Sequence, residues 1–183
     1  APPRPAAARA RLFGADALGE VLYVCAACSY KDDEFLELCR AWLLGPDAAG
    51  AADPGVLGAA ERDVSLVHIV HSLAVLEAVD GDLLRALVAA IEPRLGGFSF
   101  FEALGFLDAA AALQSQAAAG EGDALPPSGV GERALGLAVG RVVELLPALD
   151  RGDLSVCARL LAGMHVPASA GAGRILEAAE ALG

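Results

Sequence analysis

Three segments of the chain open in the same way: Val64-Ser65, Phe98-Ser99 and Leu154-Ser155. Each Ser is followed by apolar residues two and five places on, Val67 and Val70, Phe101 and Leu104, Cys157 and Leu160. A weaker copy begins at Gly19, with Val21 and Val24 in those places. Apolar residues at helical spacing behind a hydroxyl that can accept a backbone N–H mark an N-capped amphipathic helix. Recurrence of such a unit predicts stacked repeats, because one helical hairpin cannot bury its apolar face alone.

The four starts lie 46, 34 and 56 residues apart. Both long intervals contain a Gly/Pro-rich loop, which leaves a core unit of about 34–40 residues, the length of a helical hairpin. Start and stop signals predict helices over 17–30 (Asp16 as N-cap), 34–44, 65–79 and 83–95, the last kinked at Pro93. Further helices are predicted over 99–118, 132–146, from Ser155 to a break near Pro167, and 173–182. Ser99 and Glu102 have the spacing of a capping box. The fold class expected is all-α: antiparallel helical hairpins stacked as a short α-solenoid of about four repeats. In domain terms, 1–15 reads as a basic arm or transit-peptide remnant, and 16–183 as one helical repeat domain with loops at 45–62 and 119–131. The arm carries Arg4, Arg9 and Arg11 and no acid, which points to mitochondrial localisation.

Composition agrees. Residues of the hydrophobic class make up 56% of the chain and aromatics only 5%, so the apolar content is mostly Ala and Leu, the strongest helix formers. No strand-like alternation occurs. No apolar run reaches the roughly 20 residues of a membrane span, so membrane insertion is not expected. The formal net charge of −11 repels phosphates and disfavours extensive non-specific nucleic-acid binding.

The chemical constellations are weak. Cys25-Ala26-Ala27-Cys28 has C-x-x-C spacing with Cys39 nearby, yet no second pair completes a zinc site and no βαβ context supports a redox motif. Cysteine is a small apolar residue, and these are expected in the core. His68 and His71 share a helix face without an adjacent carboxylate, so one is expected at a helix contact and the other toward solvent or a partner. No nucleophile elbow or P-loop is present. The expectation is a protein that is not an enzyme and holds no cofactor or metal.

One pattern points to a surface. The second helices carry Arg40, Arg85, Arg94, Arg133, Arg141 and Arg174. Equivalent helices of a solenoid line up, so these six could form a basic stripe for RNA phosphates or an acidic partner. The alternative is scattered surface charge paired with Glu37, Asp82 and Glu144.

The Ser-led segments starting at Ser65, Ser99 and Ser155, with acidic turns such as Asp80-Gly81-Asp82, are similar to degenerate helical repeats of organelle RNA-metabolism proteins. These are the octotricopeptide/heptatricopeptide class and the helical region of RAP-domain and FAST-kinase-like proteins. The resemblance spans about residues 16–165. It implies an α-solenoid acting as scaffold, with limited RNA contact, in a mitochondrial ribonucleoprotein such as a divergent mitoribosome. Its partners would be neighbouring protein subunits, with rRNA or other organelle RNA. The alternative function is a protein-only scaffold in another large assembly of respiratory or ATP-synthase type.

Overall fold

Every regular element among the described residues is helical, as the Ala/Leu composition predicts. The computed structural model describes residues 14–45, 55–58, 60–119, 130–167 and 171–181. The basic arm and most of both predicted loops lie outside the described residues. Two compact units divide the chain, Ala1–Ile91 and Glu92–Gly183.

The first unit contains α1 (Ala15–Ala27), α2 (Asp33–Leu44), a single turn α3 (Gly55–Gly58), α4 (Asp63–Val75) and α5 (Gly81–Ile91). The closest packing is α1 on α4, two first helices, while α2 packs on α5. Contacts advance together along α1 and α4: Asp16 reaches Arg62, Gly19 lies under Ser65 and Tyr23 stacks on His68. The two helices therefore run parallel. Small residues a heptad apart, Gly19 and Ala26 on α1 and Ser65 and Ser72 on α4, are all buried in this unit. They let the backbones approach closely. A Cβ added at Gly19 would stand 2.8 Å from the Ser65 carbonyl oxygen. Leu22, Leu66, Ile69 and Leu73 fill the space beside the small residues and are fully buried. Each such side chain removed from water contributes about 1.5–3 kcal/mol.

Helices α1 and α4 stop in the same way. The chain reverses through a left-handed residue, Ser29 (φ 51°) after α1 and Glu77 (φ 56°) after α4. In both, the next amide donates back five residues, Tyr30 N–H to the Cys25 carbonyl and Ala78 N–H to that of Leu73. This is the Schellman stop, formed here without the usual Gly.

The second unit contains a 3-10 helix (Glu92–Gly97), α6 (Phe100–Ala119), α7 (Glu132–Leu145), a short 3-10 turn (Leu146–Ala148), α8 (Arg151–Ala162) and α9 (Ala172–Ala181). Here α6 packs on α7 and on α8, and α9 on α8 and α7. Phe98, Leu95, Phe106, Leu107, Leu113 and Val139 are fully buried among these elements. The helix predicted over 83–95 in fact ends at Ile91 and gives way to the 3-10 helix. Pro93 has no N–H to donate, and its ring disfavours α geometry just before it.

Helix starts require corrections. Asp16 does not cap α1, whose N-cap is Gly14. Ser65 and Ser155 are not N-caps either: α4 starts behind Arg62 and α8 behind Asp150. Asp150 and Asp153 form a reciprocal capping box, with Asp153 N–H to Asp150 Oδ1 at 2.8 Å, so α8 begins before Ser155 is reached. A carboxylate accepts a backbone N–H more strongly than a hydroxyl does. Ser99 does cap its helix: its N–H donates to Glu102 Oε2 at 2.7 Å, and Glu102 N–H donates back to Ser99 Oγ at 3.4 Å.

The four similar segments thus enter their helices at different phases, and their apolar positions differ in environment. Val67, Val70 and Cys157 are buried, while Val21, Val24 and Phe101 are exposed.

Candidate functional site

The six arginines are placed as follows. Arg40, on α2, and Arg85, on α5, converge on one acidic turn: Arg40 pairs with Asp80 and Arg85 with Asp82. Asp80 is also the start signal of α5. Its Oδ1 accepts the backbone N–H groups of Asp82 and Leu83 at 3.0 and 2.8 Å. Partial burial opposes ionisation, but the Leu83 amide and the Arg40 guanidinium outweigh it and hold the Asp80 carboxyl below its usual pKa. The same contact raises the pKa of Arg40.

The remaining four lie in the second unit. Arg133 pairs with Glu92 at 2.8 Å. Arg141 is mostly buried; it donates to the Phe98 carbonyl at 2.7 Å and pairs with Glu144 at 2.9 Å, tying α7 to the chain ahead of α6. Arg94 is partly exposed in the 3-10 helix, and Arg174 is exposed on α9. The pairs expected at Asp82 and Glu144 form. Arg40, by contrast, takes Asp80 across the stack, and Glu37 acts on it only through its charge.

Beside the acidic turn, between α2 and residues 77–80, is an open cleft of about 310 Å³. It is lined by Asp33, Glu37 and the pairs Lys31–Glu77 and Arg40–Asp80, together with the apolar Leu36, Ala78 and Val79.

A second polar cluster spans α1 and α4. Arg62 pairs with Glu20 at 2.7 Å and with Asp16 at 3.7 Å. A hydrogen bond from the Ser65 hydroxyl is the largest effect on Asp16 and draws its pKa down. Tyr23 and His68 stack with ring centroids 4.4 Å apart. Burial, with the charges of His71 and Arg62, lowers the His68 pKa. Sequence reasoning missed Asp16, Glu20, Tyr23 and Arg62 as a group, because the helix-to-helix register that joins them leaves no local signal.

The cysteines split. Cys39 and Cys157 are buried, and desolvation pushes both thiols up to about 11, so they stay protonated and unreactive. Cys28 is exposed and Cys25 partly so, which corrects the expectation that this pair sits in the core. Both fall on the side of α1 away from α4. Among the described residues no group of three or more His, Cys, Asp or Glu could hold a metal ion. None of the helices there is long and apolar enough to cross a membrane.

No family model, curated protein or solved structure matches this chain.

Proposed function

We propose that this chain is a non-enzymatic helical scaffold that works through protein contacts inside a large assembly. The observation that carries the reading is the state of the candidate arginines: Arg40, Arg85, Arg133 and Arg141 each sit on a carboxylate. A phosphate would have to displace those partners on a chain of net charge −11. Exposed pairs such as Arg85–Asp82 can exchange, since each contributes only about 0–1 kcal/mol. RNA contact thus remains an accessory part of the reading, centred on Arg85, Arg133 and Arg174.

Within each unit, first helix lies on first helix and second on second, which supports reading the hairpins as repeats of a short α-solenoid. The resemblance of the Ser-led segments supplies the assembly: a mitochondrial ribonucleoprotein, with the mitoribosome as its type. Native co-purification tests this. Recovery with protein subunits, and no salt-dependent RNA affinity in the isolated chain, is the expected result. Steeply salt-dependent RNA binding that is lost in Arg85→Ala, Arg133→Ala and Arg174→Ala would overturn the protein-centred reading.

A further inference from the structure

The two thiols that packing leaves accessible are neighbours. Cys28 is exposed and Cys25 partly so, whereas Cys39 and Cys157 are buried and stay protonated. Cys25 lies in the last turn of α1, and Cys28 is the residue that ends it. The Cys28 N–H still donates to the Val24 carbonyl at 3.0 Å, so the backbone between the two cysteines keeps its helical course. Three residues of α-helix advance about 4.5 Å and leave the ends about 60° apart in rotation, which puts the two Cα atoms about 5 Å apart. Disulfides span Cα separations of about 4.4–6.8 Å. The Cβ atoms must also approach to about 3.5–4.5 Å, against about 5–6 Å on a regular helix, so closure draws in the turn by roughly 1 Å. Cys28 is placed to yield that distance, because α1 does not continue beyond it and Ser29 turns the chain away at φ 51°.

We propose that Cys25 and Cys28 form a reversible dithiol–disulfide site whose co-reactant is a small-molecule disulfide of the glutathione class. Cys28, the more accessible thiol, reacts first: its thiolate displaces one glutathione thiolate and is left as a mixed disulfide. Cys25 then loses its proton, attacks the Cys28 sulfur and expels the second glutathione thiolate. The chain gives up two electrons and two protons, and the glutathione disulfide leaves as two glutathione thiols. A helix N-terminus favours the thiolate that catalysis needs; this pair sits at the opposite end, and is a site acted upon rather than an oxidoreductase. An exposed bond closed under strain is readily reduced again, which makes the modification reversible. The inference is independent of the scaffold reading.

The test treats the reduced full chain with oxidised glutathione, unfolds it in acid, alkylates the remaining thiols and maps tryptic peptides by mass. Trypsin separates the candidates: residues 12–31 carry Cys25 and Cys28, 32–40 carry Cys39, and 152–159 carry Cys157. The expected result is a 12–31 peptide that has lost two hydrogens and takes up no alkylating agent, with both other peptides alkylated, and full recovery of alkylation after dithiothreitol. Cys25→Ser should trap the glutathione adduct on Cys28, and Cys28→Ser should slow adduct formation at Cys25 by about tenfold or more. Unchanged circular dichroism guards against a folding defect in either variant. A stable glutathione adduct on the parent chain, a link from Cys25 to Cys39, a disulfide between two chains, or a 12–31 peptide alkylated at both thiols would each overturn the proposal.

Discussion

Gly19→Ala tests the packing of α1 on α4. In an exposed helix this change is favourable, because Ala is about 1 kcal/mol better than Gly. Here the new methyl would stand 2.8 Å from the Ser65 carbonyl oxygen and 3.3 Å from its Cα. The opposing atoms are backbone, so no rotamer change relieves the contact and the helices must separate. Separation loosens Leu22, Leu66, Ile69 and Leu73, all fully buried. Overpacking of this kind typically costs about 1–3 kcal/mol and more against rigid atoms, so a net loss of about 1–2 kcal/mol is expected. For a unit of this size that lowers Tm by about 4–8 °C per kcal/mol. Trp42, the single tryptophan, lies on α2, so its fluorescence during urea unfolding reports the first unit. Gly136→Ala on α7 is the control: its Cβ would meet nothing within 4 Å, and a gain of about 0.5–1 kcal/mol is expected by circular dichroism. A Gly19→Ala protein as stable as the parent would refute the close-approach argument.

Glu77→Gly should stabilise the first unit by about 1 kcal/mol in urea unfolding, since Gly takes the left-handed φ without strain and the lost pair with Lys31 is exposed. Ser72→Ala should be neutral or stabilising by up to about 1 kcal/mol, because the Ser72 hydroxyl is wholly buried without a hydrogen-bond partner. Asp80→Ala removes a cap and the Arg40 partner and should cost about 1–2 kcal/mol, whereas Asn retains the cap. The lowered pKa of Asp80 means its stabilisation is present above the unfolded carboxyl value and lost as pH falls through the folded one; Asp80→Asn should flatten that acid-side decline. His68 also has a lowered pKa, so its neutral form is favoured in the fold and stability falls as pH drops below the unfolded value of about 6.5. His68→Phe keeps a ring against Tyr23 and should remove that part of the slope in melts run between about pH 7 and 5.

The all-α character was legible because it is local: Ala and Leu propensity, Gly and Pro stops, and the Ser99–Glu102 box act within a few residues of themselves. Pro93 marks a local disturbance for the same reason, although the expected kink within a helix to Leu95 is in fact a change to 3-10 geometry after Ile91. The caps at Ser65 and Ser155 were misread because a stronger local competitor, or a start one turn earlier, is invisible when the motif is read alone. The cysteine placement was misread because Cys25 and Cys39 are equally apolar, and only the packing shows which face of α1 receives α4.

By itself, then, the sequence determined the helical character and, to within a residue, the helices predicted over 34–44, 99–118, 132–146 and 173–182, all set by short-range backbone chemistry. It also placed Gly19 and Ser65 in the same position of two similar segments. Only the tertiary structure decided that these two positions meet, that Arg40 crosses to Asp80, and that Val21 and Val24 of α1 stay exposed. Those outcomes depend on register between helices some 40 to 46 residues apart in the chain. Register is chosen by which small residues permit the closest approach and the greatest burial, a property of two surfaces together that neither segment encodes alone.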